Sequence, residues 1–315
     1  MLGVRIGLNK PSKKSFLKRL WKDKGLLALA FPGVAFIVLF SYVPLYGLIL
    51  PFKNFRYDLG FFKSPWFGLQ NFKFLFNSSD VLVATLNTLM YNIAFILIGT
   101  VAAITVAIML FELSRKVTKI YQTIMFFPYF LSWVIVAYII MALLDMSNGM
   151  FNVFRESRGL EGIMWYNVAS YWPTILIVTA VWKGLGYGSV IYFAAIVGFN
   201  PEYYEAAAIE GASRFKRALY ITLPLLKPLI VIMTMLQIGR IFYSDFGLFY
   251  YVPRNSPMIQ TTISVIDTYV YKVLRVSGNI GMASAAGFYQ AVVGFIFVLS
   301  MNFTIRKIDK ESAVF

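Results

Sequence analysis

Lys183 and Arg240 are charges set inside long apolar runs of this 315-residue chain, and Asp245 follows Arg240 by five residues. A charge placed there is costly and usually faces a polar cavity, so these residues point to the binding or passage of a polar solute. A second constellation lies between two apolar runs: Glu205-Ala206-Ala207, Gly211, Ile221, Leu223 and Pro224. A structured element kept between two membrane spans is a docking device for a partner. Covalent catalysis has little to work with. The chain has no histidine and no cysteine, which excludes thiol chemistry and histidine-based metal or acid–base sites. No carboxylate pair recurs within the apolar runs. No Gly-x-x-x-x-Gly-Lys-Ser/Thr loop occurs, so the chain should not hydrolyse ATP alone.

The elements that must position these residues are membrane helices. The chain is 59% hydrophobic and 14% charged, with a mean hydropathy of +0.70. A bilayer-spanning helix needs about 20 mostly apolar residues. Six runs qualify: 26–50, 81–111, 121–144, 171–198, 228–250 and 283–304. The first is too long for a signal peptide and no small-residue cleavage site follows it, so it reads as a retained span. The net charge of +15 reflects topology rather than nucleic acid. With both termini cytoplasmic, 18 Lys or Arg fall in inside segments and nine in outside segments, as the positive-inside rule expects. The layout is a 1–25 leader, a 26–304 membrane domain and a 305–315 cytoplasmic tail.

In the leader, 12–24 places Phe16, Leu17, Leu20 and Trp21 on one face with lysines opposite. That is an interfacial helix on an anionic leaflet, or else a basic leader that only sets topology. Segment 51–80 is aromatic and outside, either an interfacial belt or a surface for a soluble partner. Segment 251–282 opens on Pro253, Asn255 and Pro257 and then has apolar periodicity around Ile263, Ile266 and Val270, which predicts a short outer helix.

Within 200–227, Asn200 is a good N-cap and Pro201 suits the first helical position. Glu202 and Glu205 fall near a helix N-terminus, where negative charge is favoured. The helix can run to Glu210 with Gly211 as its stop. Ser213 can cap a second helix over 214–222, and Pro224 and Pro228 should keep it from merging with the next span. An ordinary amphipathic connector would explain Arg214, Lys216 and Arg217, but not the acidic first helix, the glycine and the prolines together.

The pattern Glu-Ala-Ala, three residues, Gly, nine residues, Ile-x-Leu-Pro resembles the EAA loop of permease subunits of bacterial ABC importers. Glu205-Ala206-Ala207, Gly211 and Ile221-Thr222-Leu223-Pro224 match it at every defining position. Pro201-Glu202-Tyr203-Tyr204 before it and Ala212-Ser213 after it resemble the carbohydrate-uptake branch, and the opening segment is similar to the LplB-like oligosaccharide permeases. The resemblance covers roughly 25–305. It implies an all-α membrane protein of about six transmembrane helices, with a cytoplasmic coupling helix between spans four and five.

It also implies a mechanism. The loop would fit a cleft on a cytoplasmic ATPase subunit, with Glu205 as polar anchor and Ala206 and Ala207 small enough for close approach. Gly211 would make the turn, and Leu223 and Pro224 would end the bracket. The implied complex has a second homologous permease, two ATPase subunits holding ATP and Mg, and an extracytoplasmic solute-binding protein. This chain itself would bind no cofactor, and its place would be the bacterial cytoplasmic membrane. Sugar would bind near mid-membrane between spans four, five and six. Those spans contain Trp182, Lys183, Tyr187, Gln237, Arg240, Tyr243, Asp245 and Gln290, the aromatic faces and polar groups that sugars need. Lys183 either lines the path or snorkels to the outer surface, and Arg240 either lines it or pairs with another group such as Asp245. If both cations line it, the substrate is acidic, for example a uronic-acid oligosaccharide. The competing reading is a stand-alone secondary transporter or channel for small polar solutes. A membrane enzyme is the third, and the missing catalytic groups count against it.

Overall fold

The computed structural model describes residues 21–308, which are almost entirely helical. The leader helix expected over 12–24 and most of the 305–315 tail lie outside the described residues. The chain divides into two units after Leu50. α1 (Lys24–Ile37) continues through a π turn, Val38–Tyr42, into a 3-10 stretch, Val43–Phe52, within which the division falls.

The second unit is built on α2 (Ser79–Phe111), α3 (Arg115–Phe130), α4 (Trp133–Leu144), α5 (Met150–Glu156) and α6 (Trp172–Val197). Next come α7 (Glu202–Ile209), α8 (Arg214–Arg217), α9 (Leu223–Ile238), α10 (Phe246–Tyr251), α11 (Ile266–Arg275) and α12 (Ile280–Ile308). Among the described residues, five helical segments are long and apolar enough to cross a membrane, six if the bent pair α3–α4 is one span. Lipid tails are as apolar as leucine, so helices in a bilayer associate by close packing rather than by a hydrophobic drive. α2 supplies small residues for this: Ala103 and Ala107 pack with Tyr192, Ile196 and Leu226. A second cluster joins Tyr91, Val136, Trp172, Leu176, Leu248 and Phe249 from α2, α4, α6 and α10.

Three expected spans or boundaries differ from the sequence reading. The run 121–144 is not one helix. α3 begins at Arg115, and α3 and α4 are bent by 100° at Leu131–Ser132. Pro128 removes an amide near the end of α3. Ser132 then offers an alternative to continuation, its hydroxyl accepting from Ile135 N–H at 3.3 Å as the cap of α4. The run 228–250 is also broken: α9 ends at Ile238 and α10 starts at Phe246. Finally, Pro224 and Pro228 do not separate the second bracket helix from the next span, because helix is continuous over Arg214–Ile238. A π turn, Ala218–Thr222, precedes Pro224, and Leu223 N–H bonds Ala218 C=O across it. The widened turn gives the proline ring the room that an α-helical turn denies it. The first unit repeats the device: Val43 N–H bonds Val38 C=O immediately before Pro44.

The break between α9 and α10 exposes backbone groups that a helix would satisfy, and side chains of other helices take them up. Asn92 of α2 donates to Ile241 C=O at 2.8 Å and Tyr243 C=O at 3.2 Å. Gln290 of α12 donates to Phe242 C=O at 2.6 Å, and Asp267 of α11 accepts from Ser244 N–H at 2.7 Å. The turn is therefore fixed in place, and it sets the end of α10 that carries Asp245.

Candidate functional site

Two places bring the candidate residues together. The first is a cavity of about 450 Å³ between α2, α3, α4, α6, α9 and α10, within the usual size for a small-molecule site. Lys183 reaches it from the middle of α6. Its ammonium donates to Tyr129 C=O at 2.7 Å and lies 5.4 Å from the Tyr129 ring centre and 5.1 Å from that of Trp133. Lys183 is thus held near two π faces, half-buried. Tyr187, one turn further on, stacks on Tyr129 with centroids 4.8 Å apart and planes 10° apart.

Asp245 holds the opposite wall. One oxygen accepts from the Trp133 indole N–H at 2.7 Å, and the other caps α10 by accepting from Gly247 N–H at 2.9 Å. The missing side chain at Gly247 lets α10 approach, because a Cβ there would collide with the Trp133 ring. The break in the α3–α4 run therefore does positional work. It turns Tyr129 and Trp133 toward Lys183 from either side of the bend.

Of the eight residues expected on a path, four line this cavity: Lys183, Tyr187, Gln237 and Asp245. Trp182 projects to the exposed face of α6. Arg240 and Tyr243 sit in the exposed turn after α9, outside the cavity lining, and Arg240 makes no ion pair with Asp245. Gln290 is buried and spends its amide on Phe242 C=O and Asp267. Sequence reading missed Asn92, Tyr129 and Trp133 on the cavity wall. Ser132 after Pro128 was the one local sign that the run carrying Tyr129 and Trp133 bends.

The second place is the bracket. α7 ends in a Schellman turn: Ala212 N–H bonds Ala207 C=O at 2.9 Å and Gly211 N–H bonds Ala208 C=O at 3.0 Å. Gly211 has φ 78°, the left-handed conformation that glycine takes without penalty. Asn200 Oδ1 accepts from Glu202 N–H at 3.1 Å, and Ser213 Oγ accepts from Lys216 N–H at 3.3 Å. Both ends of the bracket are thus capped by the residues whose types suggested it.

One face of α7 is anchored. Tyr204 is buried, its hydroxyl 3.1 Å from Thr222 Oγ1 and its ring 5.1 Å from that of Phe111 at the end of α2. Beside it, Glu112 meets Arg214 at 3.3 Å and Arg217 at 3.6 Å. The other face is open: Glu205 and Ala206 are exposed and Ile209 is 88% exposed, as is Phe215 of α8 at 75%. Leu223 is half-buried and Pro224 exposed at the start of α9. The bracket thus buries its tyrosine and leaves isoleucine and phenylalanine bare.

Residues 95–310 match the family model described as the binding-protein-dependent transport system inner membrane component. The chain is 31% identical over 298 residues to the protein LplB of Bacillus subtilis, covering 94% of this chain and 93% of that one. It is likewise 31% identical over 303 residues to the polygalacturonan/rhamnogalacturonan transport system permease protein YteP of the same organism, covering 96% and 94%. Among solved structures, a chain of a bacterial ABC transporter involved in the import of the acidic polysaccharide alginate superposes with a TM-score of 0.84 at 32% identity, over 93% of this chain and 99% of that one. A chain of a bacterial alginate ABC transporter in complex with an alginate pentasaccharide-bound periplasmic protein gives 0.82 at 31% identity, over 92% and 97%.

Proposed function

The chain belongs to the inner-membrane components of binding-protein-dependent transport systems, a permease family of ABC importers, and on that premise we propose that it carries an oligosaccharide of acidic character across the membrane. The observation that carries this reading is the cavity, in which Lys183 is framed by Tyr129, Trp133 and Tyr187. Aromatic faces stack on sugar rings; the Asp245 carboxylate in the same cavity is engaged by the Trp133 indole and Gly247 N–H, which leaves the Lys183 ammonium to favour a carboxylate-bearing ring. The relatives with polygalacturonan, rhamnogalacturonan and alginate in their names support the same class. Arg240 adds nothing to it, since it lies off the cavity.

In this reading both termini are cytoplasmic and the open face of α7 docks on an ATPase subunit, with Glu205, Ala206, Ala207, Gly211, Leu223 and Pro224 forming the bracket. ATP and Mg belong to two such subunits, a homologous permease completes the membrane part, and an extracytoplasmic binding protein delivers the sugar. The lever is rigid because Tyr204 and Glu112 tie it to α2 and the π turn carries it without interruption into α9. A movement of α7 is therefore handed to helices that wall the cavity, as a two-state coupling requires. The stand-alone transporter reading has no support in a family that works with a binding protein.

The test is uptake by the assembled complex in proteoliposomes, with its binding protein outside and ATP inside. ATP-dependent accumulation of a short oligouronate is expected. Accumulation without ATP, or of neutral sugars only, would contradict the reading.

A further inference from the structure

A second cavity, of about 250 Å³, lies further along α4 and α10. Its walls include Tyr138, Met141, Tyr250, Tyr251, Arg254 and Asn255. The main cavity is bordered by Trp133, Asp245 and Leu248 of these helices or their caps. Val134, next to Trp133, already borders the second cavity, which extends along α4 to Met141. Both cavities are thus bordered by α4 and α10.

Arg254 gives the second cavity its chemistry. Its side chain makes one weak hydrogen bond among the described residues, Nη1 to the Met141 sulfur at 3.1 Å. Among those residues no carboxylate pairs with it. Asp145, at the end of α4, is near enough to feel the charge, but its carboxyl is held low first by the amide N–H of Asn148 and then by that of Ser147. Arg254 and Asn255 are the two non-glycine residues with positive φ among those described, at 54° and 49°. Side-chain-bearing residues rarely take that conformation, and both line the cavity. Beside them Tyr138 is 67% and Tyr251 40% exposed, while the Tyr250 ring stacks on Phe246.

We infer that this cavity is a second sugar subsite, in which Arg254 pairs with the carboxylate of a uronate residue and the tyrosines face its ring. A planar guanidinium without a counter-ion matches a carboxylate in geometry and charge. With Lys183 in the first cavity, each of two cavities bordered by α4 and α10 then holds one cation, an arrangement suited to a chain of acidic sugars rather than a single one. This rests on the reading of the chain as an oligosaccharide permease.

The test is equilibrium binding of short oligouronates (galacturonate or mannuronate chains) to the assembled permease–ATPase complex without binding protein. Arg254→Gln should weaken binding about tenfold, the loss of one charge-assisted pair, and Arg254→Lys should restore part of it. Tyr138→Ala, at an exposed ring, should weaken it while the response to Arg254→Gln persists. Unchanged affinity in Arg254→Gln overturns the subsite. A variant complex that falls apart on size exclusion assigns Arg254 to a subunit contact and overturns it too. Wild-type complex that binds no oligouronate overturns the acidic-oligosaccharide reading itself.

Discussion

The bracket and the cavity are built in opposite ways. The bracket is local: its caps join residues two to five apart, and its longest internal tie, Tyr204 to Thr222, spans 18. The cavity is remote: Lys183 reaches back 54 residues to Tyr129, and Asp245 reaches back 112 to Trp133. The bracket leaves its residues exposed outward, whereas the cavity gathers them inward. A local, outward device is robust to changes elsewhere and sensitive to its own surface. A remote, inward one depends on helices that never touch the solute.

The largest effect should come from breaking the outward surface. Glu205→Lys reverses a charge at the exposed face of α7. ATP-driven uptake should fall on the order of 100-fold, the cost of setting a charge of the wrong sign into an interface. Sugar binding measured on the same complex should stay as in wild type. Next is the inward wall. Asp245→Ala removes both the α10 cap and the indole anchor of Trp133, which should destabilise the chain by about 1–3 kcal/mol and weaken sugar binding several-fold. Thermal unfolding and a binding titration read the two separately, and loss of ATPase coupling in place of sugar affinity would blur the distinction between the regions.

A smaller effect concerns the backing of the α9–α10 turn. Burial raises the carboxyl of Asp267 above its ordinary value, opposed by the hydrogen bonds from Ser244 N–H and Gln290. A raised folded pKa means that the native state holds its proton longer. The stability this provides is complete below the unfolded value and is lost as pH rises through the folded one. Wild-type unfolding temperature should therefore fall as pH rises through that window, and Asp267→Asn should flatten the fall. The smallest effect belongs to Glu112. Its pairs with Arg214 and Arg217 lie partly in solvent and contribute about 0–1 kcal/mol. Glu112→Gln should leave unfolding nearly unchanged and lower uptake per ATP hydrolysed by a modest factor.

The same contrast governs what the residues revealed in advance. Asn200, Gly211 and Ser213 act on amides within five positions, so their types and spacing disclosed the bracket before any packing was known. The six apolar runs were legible because membrane thickness alone sets their length. The breaks were not. The π turn before Pro224 let a helix continue where two prolines argued for a stop, and Ser132 broke a run that composition made look continuous. The cavity was half legible. Lys183 and Asp245 stood out as charges in apolar surroundings, but Gln290, equally polar, is consumed by the turn that it holds. Tyr129 and Trp133 were hidden because aromatic residues in a span ordinarily face lipid or pack, and only the 100° bend turns them on Lys183.

The most direct measurement is oligouronate binding by the complex carrying Lys183→Gln. The glutamine keeps a donor near Tyr129 C=O but removes the charge between the two rings. Affinity for the oligouronate should fall about tenfold or more, with complex assembly and basal ATP hydrolysis unchanged. An affinity equal to that of wild type would contradict the assignment of this cavity as the sugar site.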